Sequence, residues 1–182
     1  MRLLFLRKQT GQKKIIILSG PPKAGKSRLR SDIYNLLRED KRINWFVLPA
    51  SPDMEGQWVG DSWERGEERG KEAEELARRY KRKLKETGAF FSEEWVERMR
   101  RHVEGLSRWA EVLVLDLGGL PSEENKRIVS SVLGSGYIIP VVLLGEDGND
   151  GGWIQFWRDL GYEPVVTTYH PDLALTLINF VT

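Results

Sequence analysis

The sequence predicts an α/β fold in three layers, α/β/α, around a mainly parallel five-stranded sheet with a helical insertion between strands 2 and 3. Three observations carry that expectation. Short apolar runs alternate with helical patterns along most of the chain. The first run opens into a glycine-rich loop and then a helix. One long, charged stretch breaks the alternation after the second run.

The first run, residues 14–20 (KIIILSG), has four consecutive apolar residues, three of them isoleucine. That is the pattern of a strand buried on both faces. Residues 27–39 read as a helix with Leu29, Ile33, Leu36 and Leu37 on one face. Residues 44–49 form the second strand and residues 111–117 (EVLVLDL) the third. Residues 122–133 are helical, with Ser122 as N-cap and Pro121 ahead of it. A fourth strand covers 137–144. A helix over 152–160 carries Trp153 and Trp157 one turn apart, both expected in the core. A fifth strand spans 164–168 and a closing helix 172–181. Strands separated by helices pair in parallel, need cover on both faces, and connect by right-handed crossovers.

The interruption covers residues 61–109. Residues 71–86 alone would make a helix about 24 Å long. Glu75 and Arg79 attract at i,i+4, while Glu68 and Glu72 repel. Gly88 breaks the pattern, Ser92 caps a second helix, and that helix runs over 93–106. Arg78, Arg79, Lys81, Arg82, Lys83 and Lys85 are nearly balanced by acidic neighbours. They read as a solvated face, as a lid closing arginines over phosphates, or as a nucleic-acid contact. The segments 51–60 and 145–152 are loops. The whole, 1–182, is one domain with no internal repeat.

Composition narrows the function classes. The 182 residues are 40% apolar and 30% charged, a globular balance. Such a chain buries roughly 70% of its unfolded surface. The formal net charge is +1, from 28 basic and 27 acidic residues. No global field draws it to nucleic acid or a membrane. There is no cysteine, which excludes disulfides, thiolate zinc sites and a cysteine nucleophile. With two histidines, His102 and His170, a histidine metal site is not expected. The N-terminal apolar run of four residues is too short for a signal peptide, and no segment reaches the ~18 apolar residues of a membrane span. A soluble, cytoplasmic protein is expected.

The chemistry-bearing motif is Gly20-Pro21-Pro22-Lys23-Ala24-Gly25-Lys26-Ser27, which fits G-x-x-x-x-G-K-[ST] at every fixed position. Its context, strand before and helix after, is the one the motif requires. Glycines let successive N–H groups curl around an anion, and the helix N-terminus adds partial positive charge. Lys26 would reach the β- and γ-phosphates and Ser27 would offer its hydroxyl to Mg²⁺. Lys23 reads as a solvated charge, because the extra lysine of partition-type ATPases follows the first glycine directly. The alternative is an ordinary glycine-rich strand-to-helix turn.

Such a loop needs an acidic residue at the end of a neighbouring buried strand, to hold Mg²⁺ through water. Asp116, closing VLVLD, supplies it; a carboxylate there is costly unless it meets a cation or donors. Otherwise it would be a simple cap. Asp116 to Gly119 resembles the Asp-x-x-Gly switch segment whose glycine N–H contacts the γ-phosphate in GTPases and related ATPases. The guanine-reading Asn-Lys-x-Asp is missing, since Asn125-Lys126-Arg127-Ile128 lacks the acid. ATP is therefore expected over GTP. After the second strand, Asp53 and Glu55 fall at the sheet edge where ligands bind. Either could position water, reach Mg²⁺ at one remove, or hold an acceptor hydroxyl, or simply form a polar turn. Trp58 would stack on a base or, more simply, be buried under the insertion.

The strings GPPKAGKS, WFVLPASPDMEGQW, FSEEWVERMRRHV and VLVLDLGGLPSEEN resemble the P-loop domain fused or adjacent to a CRISPR-associated ring nuclease, an enzyme that degrades cyclic oligoadenylate. The resemblance covers about residues 14–169. It implies a nucleotide-binding partner of that nuclease in type III CRISPR defence. This chain departs by lacking the nuclease domain, so any cleavage would sit on another chain. The expected function is a Mg²⁺-dependent ATPase or nucleotide switch, with Gly20 to Ser27 and Gly119 holding the phosphates, Lys26 neutralising them, Asp53 or Glu55 acting on water or an acceptor, and Ser27 with Asp116 on the metal. A kinase for a small molecule or nucleotide, and a non-catalytic docking module, are the alternatives. Expected partners are nucleotide, the ring nuclease and, for an open oligomeric state, a second copy in a homodimer.

Overall fold

The computed structural model describes residues 12–52, 66–86 and 91–181. Among them are five strands, β1 (Lys14–Ser19), β2 (Trp45–Ala50), β3 (Val112–Leu117), β4 (Tyr137–Leu143) and β5 (Val165–Thr167). The helices are α1 (Lys26–Leu37), α2 (Glu67–Glu86), α3 (Glu93–Trp109), α4 (Glu123–Ser130), α5 (Trp153–Asp159) and α6 (Leu173–Val181). The strands form one sheet in the order β2-β3-β1-β4-β5, and every neighbouring pair is parallel. The expected α/β/α architecture is the observed one.

Alternation along the strands builds the layers. Ile15 and Ile17 of β1, with Leu113, Leu115 and Val142, face a core closed by Val96 and Val103 of α3, Ile128 and Val129 of α4, and Trp153 and Trp157 of α5. Ile16 and Leu18, with Val112, Val114, Ile139, Val141 and Leu143, face the opposite core under Leu29, Ile33 and Leu37 of α1 and Leu173, Leu177 and Val181 of α6. β1 and β3 are buried along their whole length, while the edge strands β2 and β5 are only partly covered. The prolines respect this. Pro49 lies on edge strand β2, and Pro140 precedes the β5 register, which begins at Val141.

Three boundaries differ from expectation for local reasons. α1 ends at Leu37, and Leu36, expected on the apolar face, is 39% exposed at the margin of the face that Leu29, Ile33 and Leu37 bury. α4 stops at Ser130, where Ser131 and Val132 donate to Ile128 and Val129 in tighter i→i+3 turns that still bury Val132. α3 runs on to Trp109. Its expected cap is present, with the Ser92 hydroxyl accepting from the Trp95 N–H at 3.3 Å. Gly88 and residues 61–65 lie outside the described residues. No helix among the described residues is long and apolar enough to cross a membrane.

Candidate functional site

The loop between β1 and α1 is fixed from three sides before any ligand is considered. Ser19 ends β1, donates its hydroxyl proton to the Val141 carbonyl at 2.9 Å and accepts from the Trp157 indole N–H at 2.9 Å. Gly20 follows at φ 140°, and a Cβ there would run into the carbonyl oxygen of Leu143. Only glycine lets the chain pass this close to β4. Ala24 donates back to the Pro21 carbonyl at 3.3 Å, closing the turn, and Lys23 adopts a left-handed φ of 67° with its side chain exposed. Gly25 is the N-cap of α1 and supplies no side-chain cap to the first-turn N–H groups.

The motif ends in two chemistry-bearing side chains. The Lys26 ammonium, largely buried, donates to the carbonyls of Gly20 at 2.8 Å and Pro21 at 2.9 Å. It therefore lies folded along the inside of the loop. The Ser27 hydroxyl donates to Asp116 Oδ2 at 3.4 Å. Asp116 is brought there by the sheet: it sits in register with Leu18 of β1 and Pro49 of β2. The same Oδ2 receives Arg30 Nη1 at 3.2 Å. Arg30 is 4% exposed and Asp116 6%, so this is a buried ion pair. The cation that a carboxylate at the end of an apolar strand demands is thus supplied within the chain.

The segment after β3 packs directly on the loop. A Cβ on Gly119 would lie 2.9 Å from Pro22 Cγ, so the two turns touch backbone to ring. Its carbonyl accepts from the Trp153 indole N–H at 3.4 Å, and Asn125 Nδ2 donates to the Leu120 carbonyl at 2.8 Å. α4 and α5 together therefore hold the Asp116–Gly119 segment against Pro22. Behind the loop, Tyr169, just past β5, crowds Gly25, donates to Asp32 Oδ2 at 2.8 Å, and lies under the Arg28 guanidinium at 4.9 Å. Burial first, and then the bond to Asp32, push the Tyr169 phenol above its ordinary range.

The sequence motif and the structure meet at Gly20 to Ser27, Asp116 and Gly119, which the fold gathers at the carboxyl edge of β1 and β3. Asp53, Glu55 and Trp58 lie outside the described residues; β2 ends at Ala50, at that same edge. Arg30 and Tyr169 complete the surroundings and were not singled out in the sequence, while Trp153, expected only as a core residue, is buried and also donates to Gly119. Arg30 had a signal, being one helical turn beyond Ser27 and so on its face. Tyr169 and the Trp153 bond to Gly119 had none, because each depends on the order of strands. The Ser27 hydroxyl and the Asp116 carboxylate are hard oxygen donors converging on one point, a set that suits Mg²⁺ shared with phosphates and water. Among the described residues no group of three or more His, Asp or Glu side chains could hold a metal on its own.

No family model matches the chain, and no curated protein does. Among solved structures, APE1195 superposes with a TM-score of 0.50 at 14% identity over 93% of this chain and 95% of that one. Shikimate kinase from Acinetobacter baumannii, in complex with shikimate, gives 0.49 at 15% identity over 94% and 93%. The signal recognition particle 54 kDa protein from Aeropyrum pernix K1, in complex with GDP, gives 0.37 at 16% identity, covering 94% of this chain and 48% of that one. At such identities the likeness to APE1195 is one of fold alone, and it agrees with the α/β/α architecture built up above.

Proposed function

We propose that the chain binds ATP with Mg²⁺ in the loop Gly20 to Ser27 and acts on the γ-phosphate. The observation that supports this most is the delivery of Ser27 to Asp116 beside a loop whose helix N-terminus has no side-chain cap. Backbone N–H groups of the loop and of the first turn of α1 would surround the phosphates, with Pro21 and Pro22 contributing none. Lys26 would exchange its two loop carbonyls for phosphate oxygens, a charge-assisted replacement. Bound Mg²⁺ would neutralise charge between β- and γ-phosphates, held by the Ser27 hydroxyl and, through water, by Asp116. The Gly119 N–H would read the γ-phosphate from the segment that rests on Pro22. Asp53 or Glu55 would position water or an acceptor. ATP is preferred over GTP because the guanine-reading Asn-Lys-x-Asp is missing from the sequence.

The test is a titration of ATP with Mg²⁺, followed by calorimetry or a fluorescent analogue. Lys26→Ala should weaken binding several-fold to a hundredfold, about 1–3 kcal/mol for one lost charge-assisted contact. Unchanged affinity sinks the assignment. A kinase is the second reading, favoured by the insertion of α2 and α3 between β2 and β3 in chain order. ADP release that requires an added acceptor identifies a kinase, release in water alone an ATPase, and binding without turnover a docking module. The resemblance to the ring-nuclease companion supplies one partner to try. Co-purification with a cyclic-oligoadenylate nuclease would support it, and a second copy of the chain would show as a doubled mass in solution.

A further inference from the structure

Arg30 bears on the metal side of this site, and the inference rests on the Mg²⁺–ATP reading above. Its guanidinium and the Ser27 hydroxyl share a single oxygen, Asp116 Oδ2, at 3.2 and 3.4 Å. Both members of the ion pair are almost fully buried. Two physical consequences follow. First, the Arg30 Nη1 bond to Oδ2 holds that carboxylate oxygen beside Ser27, the group through which a cation would be shared. Second, the charge of Asp116 is already compensated. A divalent cation arriving alone would find a neutral pair and a like charge beside it, in surroundings that screen poorly. A cation arriving with a triphosphate brings its own negative charge and does not depend on Asp116 for neutralisation.

We propose that Arg30 is a positioning residue that holds Asp116 on Ser27 and makes divalent-metal binding conditional on nucleotide. Metal and triphosphate then enter as one complex, and the loop does not collect free Mg²⁺. The pair is more than a generic buried bridge, because it shares its acceptor oxygen with the hydroxyl of the phosphate loop. A salt bridge with a purely structural role would lower stability when broken and leave metal affinity where it was.

The experiment uses the full chain, with Mn²⁺ as a paramagnetic stand-in for Mg²⁺. Free Mn²⁺ is followed by electron paramagnetic resonance with and without ATP, and thermal unfolding is followed with and without Mg²⁺. The wild type should bind Mn²⁺ weakly alone and well with ATP. Arg30→Gln should bind Mn²⁺ without ATP about tenfold more tightly or better, the scale of one like charge removed at short range. It should also gain thermal stability from Mg²⁺ alone, a gain that Arg30→Gln combined with Asp116→Asn loses. Arg30→Lys, which keeps the charge, should behave as wild type toward free Mn²⁺. Equal nucleotide-free Mn²⁺ affinity in wild type and Arg30→Gln would overturn the inference. So would tight Mn²⁺ binding by the wild type without ATP, a measurement that stands even where Arg30→Gln fails to fold. Failure of the wild type to bind ATP at all would instead count against the nucleotide reading, and is seen in a separate arm.

Discussion

Ser19 shows how much one small hydroxyl organises. It is fully buried at the junction of β1 and the phosphate loop, where it donates to Val141 and accepts from Trp157. Replacing Trp157 with Phe keeps an aromatic ring in the core but removes the donor, leaving a hydroxyl lone pair buried without its partner. The expected loss is about 1–3 kcal/mol of stability, read as a lower urea midpoint with an unchanged slope. A midpoint equal to wild type would show that the bond contributes nothing net. Gly20 and Gly119 act by absence of a side chain, one against Leu143 and the other against Pro22. Of these residues, the glycines were legible as motif positions. The role of Ser19 was not, since its partners lie 122 and 138 residues away in sequence.

Among the elements, α3 and α4 offer the clearest charge experiment. Arg127 reaches across from α4 and grips Glu93, in the first turn of α3, with two hydrogen bonds of 2.7 and 2.6 Å. The Arg127 hydrogen bonds hold the Glu93 carboxyl below its ordinary 4.5. A carboxylate whose folded value is depressed adds stability that is present above the unfolded value and fades as pH falls through the folded one. In a carbon-detected titration Glu93 should therefore have a midpoint below 4.5, and Arg127→Gln should move it back up. Both side chains are solvent-accessible, so added salt should shrink the difference. A midpoint indifferent to Arg127 would remove the bridge from any account of how the two helices dock. α3 was expected from its capping serine and its periodicity; it begins where expected and runs on beyond 106 to Trp109. α4 was over-extended because its apolar spacing continues into the tighter turns that bury Val132.

For the whole molecule, binding to the folded chain must appear as stability. If the phosphate loop takes Mg²⁺–ATP, saturation at a hundred times the dissociation constant should raise the unfolding free energy by about 2.7 kcal/mol. The melting temperature should climb with ligand concentration, and Lys26→Ala should need a correspondingly higher concentration for the same rise. A melting temperature flat across the series in wild type would contradict binding at any useful affinity. The layer order of the sheet makes this coupling global. The loop is anchored on β1, Gly20 presses on β4, Gly119 of the segment after β3 presses on Pro22, and Tyr169 after β5 crowds Gly25.

The sequence by itself determined the class of fold and the chemistry on offer. Short continuous apolar runs, helical faces, a capping serine and a glycine-lysine-serine turn are local codes, read by neighbours a few residues apart. It also required that Asp116 meet a cation or donors, because an unpaired charge at the end of an apolar strand is too costly. Which cation met it was decided by the tertiary structure. Arg30 and Asp116 stand 86 residues apart, and they meet only because β3 pairs beside β1 and α1 packs across that edge. The order β2-β3-β1-β4-β5 is set by which apolar faces can be buried together, a balance summed over the whole core that no short stretch of sequence contains.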